Sequence, residues 1–206
     1  VERVYQFRIS LAGIEPEIWR QVRVSELSSF EDLHHVIQFA MGWENAHLFE
    51  YRVAGFRIGV KDDDGFDFGG RKLLEASEVS LNRAIHDEGD EFFYVYDFGD
   101  DWRHMITLEK IIDRSEAGQI PVCLAGENAA PPEDCGGQPG YEMLLEALND
   151  PQHPQHADMK AFYGVYNPAE FDMEEVNDLL EDFGAGTIDK EDDLDFGEFG
   201  QESMFD

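Results

Sequence analysis

The sequence predicts an α+β fold, in which antiparallel strands and hairpins pack with four to five helices and an acidic C-terminal tail follows. Three observations lead there. Apolar and polar residues alternate near the start of the chain and again near its middle, as in half-buried strands. Apolar residues at helical spacing mark a helix between these stretches and more helices towards the end. The two kinds of element are segregated rather than strictly alternating, which favours an antiparallel sheet over a doubly wound one. The 206 residues are 42% hydrophobic and 13% aromatic, enough apolar surface for one domain that folds without staples. That domain is expected over residues 1–183, with the tail at 184–206.

Taken in order, Val4 to Leu11 places Tyr5, Phe7, Ile9 and Leu11 on one face of a strand. After Gly13-Ile14-Glu15-Pro16, Ile18 to Val24 alternates again, and a hairpin is the simplest joining. Ser28 with Glu31 fits a capping box for a helix over 29–41, bearing Phe30, Leu33, Ile37, Ala40 and Met41 and stopping at Gly42. His47 to Val53 and Phe56 to Val60 return to strand character. Residues 61–70 form a polar loop that fails the EF-hand template, with Val60 and Arg71 where acids are required. Glu78 to Ile85 predicts a short helix. Glu91 to Phe98 and Trp102 to Ile112 predict two strands around a tight Gly99-Asp100-Asp101 turn. Pro121 to Leu124 suggests a short strand, and 126–140 a Gly/Pro-rich loop. Tyr141 to Leu148, Asp158 to Tyr163 and a last helix capped by Asp172 and Glu175 complete the domain. The tail carries eight acids, one lysine and single aromatic residues, the composition of a flexible segment.

Several motifs stand together in this order. They are Pro16-x-Ile18-Trp19-Arg20; Leu33-His34-x-Val36-Ile37-Gln38-x-Ala40-Met41-Gly42-Trp43; His47-Leu48-Phe49; Tyr96-Asp97-Phe98-Gly99-Asp100-x-Trp102-x-His104; and Pro131-Pro132-Glu133-Asp134-Cys135-Gly136-Gly137 with Gly140-Tyr141. The set resembles the plasmid pRiA4b ORF-3-like family from about Tyr5 to about Leu180. The resemblance implies the fold and a possible link to mobile elements, since members occur on plasmids and chromosomes. It implies no particular activity. Two departures are Gln21 after Arg20, where the family often has a second basic residue, and Phe162 or Tyr163 in place of a later Trp.

The 46 acidic and 15 basic residues leave a formal net charge of −31. Such a surface repels phosphate backbones and anionic membranes, so neither direct nucleic-acid binding nor membrane association is expected. No apolar run approaches the ~20 residues of a membrane span. The charged start lacks a signal-peptide core, and two cysteines make no disulfide framework, so the cytoplasm is the expected compartment.

Chemistry is best sought around residue 100. If Asp100-Asp101 is a two-residue turn, Asp97 opposes His104, and cross-strand partners have Cβ atoms about 4.5–5.5 Å apart. Asp97 and His104 then form a base–orienter pair or part of a metal site, which His47, or Glu133, Asp134 and Cys135, would complete. Asp97, His104 and Asp134 are the candidate catalytic residues. His47, Asp97 and His104 are the candidate ligands for zinc or another divalent transition metal. The competing structural reading is a hydrogen-bonded pair that pins the hairpin. Asp97-Phe98-Gly99 is no kinase motif, because neither a phosphate loop nor a catalytic loop accompanies it. Cys135 beside two acids should have a raised pKa and react poorly.

Three functions stay open on these grounds: a module that binds another protein, a metal-assisted hydrolase or nuclease-like enzyme, and an acidic DNA mimic.

Overall fold

A computed structural model describes residues 2–60, 72–164 and 166–188. The polar loop at 61–70 and the acidic tail from residue 189 lie outside these residues. Eight strands form one sheet: β1 (Arg3–Leu11), β2 (Trp19–Ser25), β3 (Phe49–Val53), β4 (Phe56–Gly59), β5 (Leu73–Glu75), β6 (Glu91–Tyr96), β7 (Trp102–Asp113) and β8 (Val122–Glu127). Their order is β5-β4-β3-β6-β7-β1-β2-β8. Each pairing is antiparallel except β4 with β5. Four helices accompany the sheet: α1 (Phe30–Met41), α2 (Gly137–Asn149), α3 (His156–Tyr163) and α4 (Met173–Ala185). The fold is thus α+β.

The alternation of the strands decides which sheet face is buried. Tyr5, Phe7 and Ile9 of β1, Val22 of β2, Phe92, Tyr94 and Tyr96 of β6, and Ile106 and Leu108 of β7 are almost wholly inaccessible. The apolar stripe of α1 covers this face, with Phe30, Leu33, Ile37 and Ala40 in the same core. Arg20 shares the apolar face. It is retained there because its guanidinium donates to the carbonyls of Ala40, Trp19, Glu127 and Asn128 at 2.6–2.9 Å. One of these carbonyls belongs to the last turn of α1, where a cation complements the helix dipole. Phe171 covers the guanidinium at 3.9 Å.

The observed elements depart from the local reading in five places. The box that caps α1 uses Ser29 and Asp32 rather than Ser28 and Glu31. Ser28 is already engaged, its carbonyl accepting the Leu81 amide. The helix expected at 78–85 is two 3-10 turns, Ala76–Glu78 and Leu81–Arg83, because Val79 between them is extended and its carbonyl accepts the Phe30 amide. Helix α2 starts at Gly137, four residues before Tyr141, inside the stretch whose glycines read as loop. Helix α4 continues past Phe183 to Ala185 and ends on left-handed Gly186.

The fifth departure bears on function. The β6–β7 register pairs Tyr96 with Trp102, Val95 with Arg103 and Tyr94 with His104. The connection therefore spans five residues, Asp97 to Asp101, and Asp97 does not face His104. Asp97 ends the ladder by adopting φ +53°, while its side chain accepts the Gly99 amide at 2.8 Å and its carbonyl accepts the Asp101 amide. This Asx-type turn is what a short carboxylate side chain favours over strand continuation.

Candidate metal centre

Three segments meet at the end of the sheet where β3 begins and β6 ends. The first runs from Trp43 to Leu48, between α1 and β3. The polar residues of α1 hold it. His34 Nε2 donates to Asn45 Oδ1 at 2.6 Å, and His34 Nδ1 accepts the Tyr94 hydroxyl at 2.7 Å. Gln38 donates to that same hydroxyl and accepts the Asn45 amide at 3.0 Å. The imidazole of His34 lies flat on Phe49, 3.7 Å between centroids. Burial, with His35 nearby, lowers the His34 pKa to about 3, so the ring is neutral and the donor–acceptor assignment is consistent. His47 projects from the end of this pinned segment.

The second segment is the Asp97–Asp101 turn. The third is the loop 128–136 between β8 and α2. Trp43 anchors it by donating its indole N–H to the Pro131 carbonyl at 2.9 Å. Asp100 accepts the Gly136 amide at 3.1 Å. Gly137 has φ +66°, and a Cβ there would stand 2.6 Å from the Asp100 carbonyl oxygen. The second glycine of the pair thus permits this loop to lie directly on the β6–β7 turn.

His47, Asp97 and Asp134 each offer one donor atom, and the three atoms lie within 4.8 Å of one another. His47 Nε2 is 2.9 Å from Asp134 Oδ1 and 3.7 Å from Asp97 Oδ2. Zinc ligands at about 2.1 Å from a tetrahedral centre stand about 3.4 Å apart, and cis ligands of an octahedral one about 3.0 Å. The two separations from His47 bracket those values, and the shorter of them is a hydrogen bond between His47 and Asp134. Glu133 Oε1 is a further 3.7 Å from His47 Nε2. Asp97 is 8% exposed, whereas the Asp134 side chain is 73% exposed, so the cluster is backed by the sheet and open on one side. Like Asp97, Asp134 sits in the left-handed region, at φ +54°. One imidazole nitrogen with carboxylate oxygens suits zinc or another divalent transition metal.

Tyr96 organises the back of the cluster. Its hydroxyl accepts the Ala46 amide at 3.0 Å and donates to Glu133 Oε1 at 2.5 Å. Among the described residues Glu133 Oε2 is buried without a hydrogen-bond partner of its own. Burial raises the Glu133 pKa, opposed by the Tyr96 hydroxyl and the Glu44 amide.

Of the residues singled out from the sequence, the fold brings together His47, Asp97 and Asp134, with Glu133 beside them. It does not bring in His104. That side chain is fully buried on the inner face, edge-on to Trp43 at 5.3 Å, with Nδ1 donating to the Trp102 carbonyl. Desolvation lowers its pKa to about 3. The reason is the register: His104 lies opposite Tyr94, two positions inside the end of the ladder. Cys135 is half-buried, and desolvation together with Asp100 pushes its thiol up to about 12. His153 accepts the Gln155 amide, and His156 donates to the Ala147 carbonyl, so both serve the α2–α3 connection. Tyr96 was legible only as a member of a motif. Nothing local shows that its hydroxyl crosses to Glu133. Among the described residues no helix is long and apolar enough to cross a membrane.

A family model described as plasmid pRiA4b ORF-3-like protein matches residues 3–175. A protein of Sinorhizobium fredii (strain NBRC 101917 / NGR234), called uncharacterized protein y4hQ, is 35% identical over 188 residues, covering 90% of this chain and 94% of its own. The crystal structure of a protein of unknown function, MM3350 from Methanosarcina mazei Go1, is also similar. It has a TM-score of 0.76 and 38% identity, over 85% of this chain and 98% of that one.

Proposed function

The chain belongs to the plasmid pRiA4b ORF-3-like family, and from that premise we propose that it is a metal-dependent hydrolase whose centre is His47, Asp97 and Asp134. One observation carries the reading: three donor atoms from three separate segments converge within 4.8 Å on the open end of the sheet. Asp97 and Asp134 both stand in left-handed backbone and both turn a carboxylate towards the same imidazole.

A divalent metal held there would acidify a bound water and polarise a carbonyl or phosphoryl oxygen. The chain's own residues have separate tasks. His47 would contribute an imidazole nitrogen, and Asp97 and Asp134 carboxylate oxygens. Glu133, fixed by Tyr96 with Oε1 3.7 Å from His47 Nε2, would be the base that takes a proton from the water. Orienting a carboxylate behind the ligands is the usual work of a surrounding hydrogen-bond shell.

The test is metal content and affinity. Protein purified without added metal and then dialysed against chelator should take up one equivalent of zinc or manganese by calorimetry. Asp97→Asn should lose that binding while retaining the turn, because an amide oxygen can still accept the Gly99 amide. The metal-loaded protein should hydrolyse an activated ester such as p-nitrophenyl acetate faster than the chelated protein. Uptake below about a tenth of an equivalent, with no heat on titration, would end this reading.

A further inference from the structure

Two large apolar side chains flank the cluster without cover. Leu48, next to His47, is 53% exposed, and Phe98, next to Asp97, is 56% exposed. The Asp97 amide donates to the Leu48 carbonyl at 3.0 Å, so Leu48 pairs with Asp97 at the sheet end and Phe98 follows one residue later. Together they make an apolar lip beside the donor atoms. Scattered exposed apolar residues need no explanation, but a pair bordering a polar cluster marks a contact surface.

The charges around the lip are almost all of one sign. The segments that form the site carry Glu44, Asp97, Asp100, Asp101, Glu133 and Asp134. The basic groups on and next to them are His47, inside the cluster, and Arg103 of β7, which Asp101 holds at 2.7 Å. No free cation on these segments is available to receive a phosphate. The site is also open rather than enclosed, with the Asp134 side chain 73% exposed. Small-molecule sites bury most of their ligand. A half-exposed lip suits a chain that passes across it.

We infer that the ligand of this centre is a basic polypeptide segment, whose apolar side chain rests on Leu48 and Phe98 while its cations face the surrounding carboxylates. The inference rests on the metal-centre reading for the position of the reacting group, but its own contacts are those of the lip. Nucleic acid is disfavoured at the same place by the same charges.

The experiment uses a fluorescently labelled synthetic peptide of alternating lysine and leucine, with binding to the full chain followed by anisotropy with zinc and with chelator. A charge-neutral change, Leu48→Asn with Phe98→Asn, separates the lip from the acidic surface. Both positions are exposed, and each single variant serves as a check on folding by circular dichroism. The double variant should lose about tenfold or more in peptide affinity, while its zinc affinity stays that of the wild type. Unchanged peptide affinity in the double variant would overturn the inference, because charge alone would then explain the binding. Equal competition by an oligothymidylate would overturn it as well. Absence of zinc uptake would defeat the metal centre instead, and the wild-type and variant affinities in chelator would still decide the lip.

Discussion

The Tyr96 hydroxyl donates to Glu133 Oε1 and accepts the Ala46 amide, so one side chain of β6 bridges the loop that carries His47 and the loop that carries Asp134. Tyr96→Phe keeps the ring, which stacks on Trp43 at 5.1 Å, and removes only the bridge. A half-buried carboxylate and the Ala46 amide then each lose a partner, at a cost of about 1 kcal/mol in stability. Because the bridge lies behind the ligands, metal affinity should fall by about 10- to 100-fold. Calorimetric titration and urea unfolding of the same preparation measure both.

Asp134 has φ +54° and a side chain open to solvent. Glycine accepts that conformation at no steric cost. Asp134→Gly should therefore leave stability within about 1 kcal/mol of the wild type, while zinc affinity falls at least tenfold. Thermal melts with and without zinc give the answer: the melting temperature of the metal-free protein holds, and the rise on adding zinc shrinks. A large loss of stability without metal would mean that Asp134 supports its own loop instead.

Gly137→Ala tests the contact between the loops. Its Cβ would stand 2.6 Å from the Asp100 carbonyl oxygen at φ +66°, so the backbone must shift. A destabilisation of about 1–3 kcal/mol is expected. Metal affinity should fall too, although no ligand is altered, because Asp134 moves away from Asp97.

His34 and His104 predict an acid-sensitive fold. Both have folded pKa values of about 3, lowered chiefly by burial, against an ordinary value of 6.5. The unfolded chain therefore binds more protons than the folded one between those pH values. Stability is unaffected above the unfolded pKa and declines as pH falls below it, by up to about 1.4 kcal/mol per pH unit for each ring. Urea unfolding at about pH 7 and about pH 5 should show this loss before most carboxylates titrate. His104→Leu should roughly halve the slope.

How much of the site could be read locally is clear from three residues. His47 and Asp134 lie in motifs whose residue types suggest ligands, and the fold brings them together. His104 belongs to a motif of the same kind and is a core residue. The difference is the length of one turn. A two-residue turn at Asp100-Asp101 would have set Asp97 against His104, whereas the Asx turn at Asp97 lengthens the connection and moves the pairing to Tyr94. The shift is of three residues, an odd number, and it sets the apolar face of β6 (Phe92, Tyr94 and Tyr96) against Ile106, His104 and Trp102 instead of Glu109, Thr107 and Met105.

The amino-acid order by itself determined the buried faces of the strands and helices, the strongly acidic character and the kinship with the family. These follow from periodicity, composition and local motifs, which act over a few residues. Tertiary structure alone decided the partners of each polar group. His34, Gln38 and Tyr94 fix Asn45; Trp43 holds Pro131; and Asp100 receives Gly136, and through these long-range bonds three loops present His47, Asp97 and Asp134 to one another. Such contacts depend on where the packed core leaves each loop, and no local pattern encodes that position.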